Sequence, residues 1–123
     1  MKVGDYVRTE SYNNIPSKIG RIRNVEFYKG EIKYIFIDND EDKNRCYDMS
    51  SIRGMSSNII DLIEVEDYVN GNRVDFTNSN NRLSYEDKCI GFYDGDGDIT
   101  LFEKDIKSIV TKEQFEAMEY KLN

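Results

Sequence analysis

Two short stretches of this chain repeat each other. Residues 3–7 read Val-Gly-Asp-Tyr-Val, and residues 65–69 read Val-Glu-Asp-Tyr-Val. Each stretch is followed by polar turn residues and by further short runs of β-forming residues. Such an internal repeat predicts two small units built on one plan. The repeated residues mark the start of each structural unit and are not a catalytic motif, so they constrain the architecture more than the chemistry.

The size and composition suit one ordinary domain, or two small β units that share a core. The chain has 123 residues, of which 38% are hydrophobic, with nine tyrosines, six phenylalanines and one proline. No apolar run approaches the roughly 20 residues of a membrane-spanning helix, and the first residues carry no apolar signal segment. We therefore expect a cytoplasmic protein without membrane contact, in which Cys46 and Cys89 are free, largely buried thiols.

Charge and the lack of histidine narrow the chemistry. The chain has no histidine, which excludes serine–histidine and cysteine–histidine nucleophile pairs and histidine-ligated metal sites. Its net charge of −7 is unevenly distributed, because residues 1–60 hold ten Lys/Arg and nine Asp/Glu, whereas residues 61–123 hold seven and fifteen. The first half suits contact with a nucleic acid or an acidic surface, and the second half would repel one.

Short β runs separated by turn residues predict a mainly β fold with the character of a small barrel. Lys29-Gly30 predicts a hairpin turn before the strongest strand of the chain, residues 31–38. Asn70-Gly71 predicts a type I′ hairpin turn, because both residues tolerate positive φ.

The remaining elements are predicted from weaker patterns and from one clear capping motif. Residues 45–49 and 58–65 are expected to be extended. One helix is predicted over about residues 111–122, because Thr111 is a good N-cap and Gln114, three residues later, completes a capping box.

The opening residues resemble a known barrel family. Residues 2–8 read Lys-Val-Gly-Asp-Tyr-Val-Arg, and residues 19–22 read Ile-Gly-Arg-Ile. This looks like an SH3-like barrel of the KOW or Tudor type, in which a Gly-Asp turn precedes the first strand. The resemblance implies an SH3-like barrel over residues 1–65, followed by a smaller acidic β unit with the C-terminal helix over residues 66–123.

Two later stretches resemble another group of proteins. Residues 57–71 and 106–115 are similar to recurring phrases in small phage and prophage proteins of Gram-positive bacteria, where glycine is more common at the position of Glu66. This resemblance implies a source more than an activity. Phage accessory proteins of this size often bind a host protein, and some block defence systems such as CRISPR nucleases.

Two acidic loops invite a calcium interpretation. Residues 94–98 read Asp-Gly-Asp-Gly-Asp, but an EF-hand loop also needs Gly at position 6 and Glu at position 12, where this chain has Ile99 and Asp105. Residues 38–42 fail the same test, with Lys43 at position 6. We therefore expect a solvated hairpin at the first loop, an exposed loop at the second, and no metal site.

Two sets of charged residues are candidate binding surfaces. The acidic set mimics the charge of a nucleic acid and suits a basic groove on a partner; it comprises Asp61, Glu64, Glu66, Asp67, Asp94, Asp96, Asp98, Glu103 and Asp105. The basic set lies on adjacent predicted strands near tyrosines and suits a nucleic acid; it comprises Arg21, Arg23, Lys29 and Lys33. The alternative for both sets is that they are ordinary solvent-exposed charges with no binding role.

The sequence predicts a non-catalytic protein that uses no cofactor. Paired carboxylates capable of acid–base catalysis would need a pocket that raises one pKa, and no spacing in the chain requires that. The preferred function is a phage or prophage accessory protein that binds a host protein or protein–nucleic-acid complex, such as a CRISPR nuclease that it inhibits. The alternatives are a nucleic-acid adaptor using the basic set, and a virion or assembly component.

Overall fold

The computed structural model describes residues 2–12, 15–78, 88–94 and 97–118, and these residues confirm the mainly β prediction. The elements in these ranges are β1 Tyr6–Thr9, β2 Ile19–Tyr28, β3 Glu31–Ile37, β4 Ile52–Ser56, β5 Tyr68–Val69, β6 Asn72–Arg73, β7 Phe76–Asn78, β8 Cys89–Asp94, β9 Gly97–Phe102, β10 Ile109–Val110, helix α1 Lys112–Met118, and 3₁₀ helices at Met49–Ser51, Ile59–Leu62 and Glu103–Asp105. Within these ranges, no helix has the length and apolar character needed to cross a membrane.

The first half forms a four-stranded antiparallel sheet in the order β3-β2-β1-β4. Strands β2 and β3 make the predicted hairpin, and Lys29 and Gly30 at its tip have φ angles of 52° and 80°, as a type I′ turn requires. Ile22, Ile35 and Ile37 of this hairpin are buried. Because successive strand residues point to opposite faces, the other face of the hairpin carries its polar and aromatic side chains.

The second half contains two three-stranded antiparallel sheets, in the orders β10-β5-β6 and β7-β8-β9. Asn70 and Gly71, with φ angles of 53° and 84°, form the predicted type I′ turn between β5 and β6. The predicted hairpin around the Asp-Gly repeat is also present, because β8 and β9 pair up to Asp94 opposite Gly97. Among the described residues no sheet closes on itself, so the SH3-like barrel stays a prediction.

The repeated sequence forms the same turn twice. The amide of Lys2 donates to Asp5 Oδ2 at 3.1 Å, and the amide of Glu64 donates to Asp67 Oδ2 at 2.7 Å. In return, the amide of Asp5 donates to the Lys2 carbonyl and that of Asp67 to the Glu64 carbonyl, both at 3.1 Å. Each aspartate therefore closes a tight turn immediately before its strand.

The strands that follow the two turns also correspond. Tyr6 pairs with Arg21 across β1 and β2, and Tyr68 pairs with Arg73 across β5 and β6. A third antiparallel strand lies on the other edge of each first strand, β4 beside β1 and β10 beside β5. A helical segment follows that third strand in both copies, the 3₁₀ helix Ile59–Leu62 in the first and α1 in the second.

Two apolar clusters form the interior. The smaller one lies within the first half and contains Val7, Ile22, Ile35, Ile37 and Tyr47. The larger one contains Ile19, Ile60, Leu62, Ile63, Val69, Val74, Ile90 and Phe92. Because the larger cluster draws residues from both halves, the two halves pack on a shared interior.

The prediction of an extended segment over residues 58–65 was wrong. Ile59–Leu62 is a 3₁₀ helix whose N-cap, Asn58, accepts a hydrogen bond from the amide of Ile60 at 3.0 Å. Asparagine at an N-cap satisfies an otherwise unpaired amide, and this local bond outweighs the β preference of the isoleucines that follow.

Three further expectations for residues 38–49 were also wrong: the strand over residues 45–49, the burial of Cys46, and the exposure of Asp40. Residues 45–49 form no strand, and their β pairing is a single bridge between Tyr47 and Ile35. Cys46 is exposed, whereas the other thiol, Cys89, is buried as expected. Asp40, expected in an exposed loop, is 2% exposed and accepts a hydrogen bond from the Tyr47 hydroxyl at 3.0 Å.

Helix α1 begins as predicted. The amide of Gln114 donates to Thr111 Oγ1 at 3.1 Å, and the amide of Thr111 donates to Gln114 Oε1 at 3.0 Å. These reciprocal bonds are the predicted capping box. Phe115 of this helix stacks on Tyr68 with the ring centroids 4.1 Å apart. The end predicted for this helix, residues 119–122, lies outside the described residues.

Candidate functional site

The four basic residues predicted as a binding surface surround one hairpin. Arg21 and Arg23 lie on β2, Lys33 lies on β3, and Lys29 lies in the turn between the two strands. All four residues are exposed. Within the described part of the chain, none of them forms an ion pair, so their charges are available to a ligand.

Both arginines of this set lie over aromatic rings. The guanidinium carbon of Arg21 is 4.9 Å from the centroid of the Tyr6 ring, and that of Arg23 is 5.2 Å from the centroid of Phe36. A cation within about 6 Å of a ring is attracted by the negative face of its π-system. These contacts order the arginines without neutralising them.

The two lysines make the same kind of contact. Lys29 Nζ is 5.4 Å from the centroid of Tyr28, and Lys33 Nζ is 5.7 Å from that of Tyr34. Each cation of the set is thus adjacent to a ring. We define the basic–aromatic face as Arg21, Arg23, Lys29 and Lys33 together with Tyr6, Tyr28, Tyr34 and Phe36.

Irregularities in the hairpin pairing coincide with two of these cations. Ile22 pairs with Ile37 and Asn24 with Phe36, so Arg23 is the extra residue between two pairs. On the other strand, Ile32 and Tyr34 have partners in β2, and Lys33 between them is the extra residue. A bulge adds twist and changes the direction of a side chain, and sequence patterns did not indicate either one.

The hydroxyl of Tyr6 favours the charged form of Arg21. Arg21 Nη2 donates a hydrogen bond of 2.5 Å to the Tyr6 hydroxyl, and this bond raises the pKa of Arg21 above its usual value. Two exposed carboxylates border the face, because Glu26 pairs with Tyr34 and Glu31 with Tyr28 in the hairpin register. Asp38 and Glu103 also act on the charge of Arg21, so the four cations of the face have at least four carboxylates near them.

The structure separates the acidic set into members with different environments. Asp67 is fully buried. Asp61 forms an ion pair with Lys88 at 2.8 Å, and Asp105 accepts a hydrogen bond from the amide of Phe102 at 3.0 Å.

The other described members of the acidic set are Glu64, Glu66 and Glu103. Glu64 takes part in an internal ion-pair network, whereas Glu66 and Glu103 are exposed. Asp96 and the side chains of Asp94 and Asp98 lie outside what the structure describes. The acidic residues that it does describe do not gather into one exposed patch.

A buried arginine that the sequence did not single out joins the two halves. Arg8 is 1% exposed, and its guanidinium donates to Asp67 Oδ1 at 3.0 Å and to the Leu62 carbonyl at 3.0 Å. Burial alone lowers the pKa of Arg8, but the hydrogen bond and charge of Asp67 outweigh it and raise the pKa overall. Asp67 also accepts from the amide of Lys112 at 2.9 Å, which ties the start of α1 to the same carboxylate.

Glu64 extends this junction toward the surface. It accepts from Lys112 Nζ at 2.9 Å and from Arg53 Nη1 at 3.1 Å, and Arg53 also contacts Glu113 of α1 at 3.2 Å. Burial alone raises the pKa of Glu64, but the bonds from Lys112 and Arg53 outweigh it and lower the pKa. The arrangement joins β1, β4, β5 and α1, so its role is structural.

The described residues contain no group of three or more cysteine, aspartate or glutamate side chains placed to hold a metal ion. Comparisons with protein-family models, with curated proteins and with solved structures found no match to this chain.

Proposed function

We propose that this chain is a non-catalytic binding protein whose basic–aromatic face recognises single-stranded nucleic acid. The observation that carries the proposal is that all four exposed cations of the face lie beside aromatic rings and lack ion-pair partners among the described residues. Single-stranded nucleic acid presents phosphates and unstacked bases together, and proteins bind it through cations combined with stacking rings. The two types of group alternate over this hairpin.

The exposed tip of the hairpin adds stacking surface. Phe27 and Tyr28 are 67% and 62% exposed, so two adjacent rings are accessible to bases for stacking. A base stacked on an aromatic ring contributes about 1–3 kcal/mol. These rings and the neighbouring Lys29 suit a strand that crosses the tip.

The net charge of −7 opposes this function at long range. Its effect is limited, because charges separated by more than the Debye length of about 8 Å at physiological salt are largely screened. The excess of acidic residues lies in the second half of the sequence, and Glu103 of that half acts on the charge of Arg21 in the face. The proposal therefore requires short-range contacts and predicts modest affinity.

The test is a salt titration of binding. The probe is a fluorescein-labelled single strand of about 12 nucleotides, within the range of site sizes of small binding domains. With four phosphates neutralised, the logarithm of the binding constant falls with the logarithm of salt concentration at a slope of about −3, since each contact contributes about −0.7. Absence of binding at low salt contradicts the proposal.

A matched pair of double variants separates the face from overall charge. Lys29→Glu/Lys33→Glu removes two of the four cations of the face and should reduce the slope by about half, to about −1.4. Arg73→Glu/Lys104→Glu changes the charge equally at exposed positions of the second half and should preserve the slope. An equal loss in both variants would show that the protein responds only to its net charge.

Binding of a host protein by a phage or prophage accessory protein is the second candidate, in the cytoplasm of a bacterial host. Glu66 and Glu103 favour it, because both are exposed and neither forms an ion pair with a described residue. The test is co-purification from a host lysate with Glu66→Lys/Glu103→Lys as the comparison. A complex that survives in that variant does not use these two carboxylates, and the absence of any complex at low and moderate salt would contradict this candidate function.

The SH3-like barrel over residues 1–65 remains a proposal, which is supported by the antiparallel order β3-β2-β1-β4 and by the 3₁₀ helix Ile59–Leu62 after β4. The strands of the smaller unit follow a related order. Strands β6 and β7 are separated only by Val74 and Asp75. The chain passes directly from β6 of one small sheet to β7 of the other, so the strands follow the order β10-β5-β6/β7-β8-β9. The 3₁₀ helix Glu103–Asp105 lies shortly before β10. Contacts between the edge strands β3 and β4 in NMR spectra would support a closed barrel over residues 1–65, and edge strands that stay apart would oppose it.

A further inference from the structure

A groove of about 330 Å³ lies between the two halves, beside the basic–aromatic face. Its size is at the small end of the range of about 300–1,000 Å³ for sites that bind small molecules, which suits a single nucleotide. It is lined by Tyr6, Ile19, Gly20, Arg21, Asp38, Asn39, Ile59, Ile106, Lys107, Ser108 and Ile109. Two members of this lining, Tyr6 and Arg21, also belong to the basic–aromatic face.

The lining divides into an apolar part and a charged part. Ile59, Ile106 and Ile109 are partly buried and pack on the larger core cluster, so they present apolar surface to the groove. Arg21 and Lys107 are exposed cations contributed by opposite halves of the chain. An apolar surface with two nearby cations matches a ligand that is flat and apolar at one end and anionic at the other.

Hydrogen bonds hold the wall contributed by the second half. The side chain of Asn70 accepts from the amides of Lys107 and Ser108 at 2.8 Å and 3.1 Å, and it donates to the Asp105 carbonyl at 2.9 Å. One asparagine of the second repeat thus positions the segment that carries Lys107. A wall fixed in this way reduces the entropy lost on binding.

The wall contributed by the first half is held in a similar way. Asn39 Nδ2 donates to the Ile19 carbonyl at 2.9 Å, and the amide of Arg21 donates to Asp38 Oδ1 at 3.0 Å. Gly20 is needed at this point, because a Cβ there would lie 2.6 Å from Asn39 Oδ1. Both walls are therefore pre-formed.

We propose that this groove is a mononucleotide pocket, with the base against the isoleucines and the phosphate between Arg21 and Lys107. The inference rests on the proposed function, because Arg21 belongs to both sites and a strand on the face continues into the groove through this residue. Asp38 is the carboxylate of the lining, and its negative charge places the phosphate on the Lys107 side. The pocket binds one terminal nucleotide of the strand that the face holds.

The test is a titration of the intact protein with 5′-AMP, followed by amide chemical shifts in NMR spectra. We expect saturable changes at Gly20, Arg21, Asn39, Lys107 and Ser108. Adenosine, which lacks the phosphate, should bind at least about tenfold more weakly, as expected for loss of a charge-assisted contact. Inorganic phosphate alone should also bind weakly, and equal effects of phosphate and 5′-AMP would overturn the inference.

Matched variants localise the phosphate and separate the two proposals. Lys107→Glu should weaken 5′-AMP binding by about tenfold or more, whereas Lys104→Glu, an equal charge change at a residue outside the lining, should leave it unchanged. Equal weakening in both variants, or none in Lys107→Glu, overturns the inference. If the oligonucleotide binds but 5′-AMP does not, only the pocket is wrong; if 5′-AMP binds but the oligonucleotide does not, only the strand-binding function is wrong.

Discussion

The two copies of the repeated unit have the same backbone hydrogen bonds and different neighbours. In the first copy, Tyr6 borders an open groove and Asp5 is partly exposed. In the second, Tyr68 lies against Phe115 of α1 and Asp67 is fully buried. The same turn and strand pairing therefore has two roles. The first copy presents a surface, and the second copy attaches the two halves to each other.

The largest difference between the copies concerns the aspartate. Asp67→Asn removes the only fully buried carboxylate among the three described ones that pair with Arg8, leaving Glu64 and Glu113 as counter-charges. It should lower the free energy of unfolding by about 3 kcal/mol, the low end of the cost of breaking a buried ion pair. Asp5→Asn makes the same chemical change in a part-exposed turn and should cost less than about 1 kcal/mol. Urea denaturation measures both values, and similar losses in the two variants would contradict the assigned roles.

Loss of the ring that stacks on Tyr68 should have the next largest effect on stability. Phe115→Ala removes the ring stacked on Tyr68 and should lower the free energy of unfolding by about 1–2 kcal/mol. Met118→Ala, in the same helix at a residue that is 67% exposed, should change it by less than about 0.5 kcal/mol. Thermal denaturation compares them, and equal effects would mean that helix propensity outweighs the stacking contact.

Reciprocal substitutions at the turn residue should change the stability of the protein in opposite directions in the two copies. Gly4 and Glu66 occupy the same position with φ angles of 97° and 79°, a region that costs a residue with a side chain about 1–2 kcal/mol. Glu66→Gly should therefore stabilise the protein by up to about 1 kcal/mol.

The reciprocal change at Gly4 serves as the control for this turn. Gly4→Ala should destabilise the protein by about 1 kcal/mol, although a Cβ there meets no atom within 4 Å, because the backbone conformation alone is unfavourable. Denaturant midpoints of the two variants should move in opposite directions. Shifts in the same direction would refute the equivalence of these positions.

The smallest expected effect is a dependence on pH in the second copy. The pKa of Glu64 is lowered from its ordinary value of 4.5, so the unfolded state binds this proton more readily than the folded state. Its contribution is therefore complete above about pH 4.5 and is lost as the pH falls through the lower value of the folded state. Glu64→Gln should flatten the fall in unfolding free energy in that window, and Glu66→Gln, at an exposed carboxylate, should not.

Local chemistry explains what could be predicted from the sequence. Asn70-Gly71 and Lys29-Gly30 specify their turns through residues only one apart, and Thr111 caps its helix through Gln114, three residues away. The basic residues around the first hairpin follow from that turn, because a correct hairpin brings its two strands together. Recognised turn and capping motifs were therefore predicted correctly, whereas the equally local N-cap at Asn58 was missed.

Long-range chemistry explains what could not be predicted. Arg8 and Asp67 are 59 residues apart in sequence, and nothing in a strand that reads Tyr-Val-Arg-Thr indicates that its arginine is buried. The acidic set was drawn from runs of like charge, so it combined buried Asp67 with exposed Glu66, which is its neighbour in the sequence. Sequence runs do not reveal which carboxylate has an internal cation as its partner.

Whether the first copy presents the binding surface is tested most directly by mapping oligonucleotide contacts on both copies at once. Amide chemical shifts are followed while a short single-stranded oligothymidylate is added to the intact protein at low salt. The account predicts changes around Arg21, Arg23, Lys29 and Lys33, with none around Tyr68 and Arg73. Changes centred on the second copy, or no changes at all, would contradict the claim that the first copy presents the binding surface.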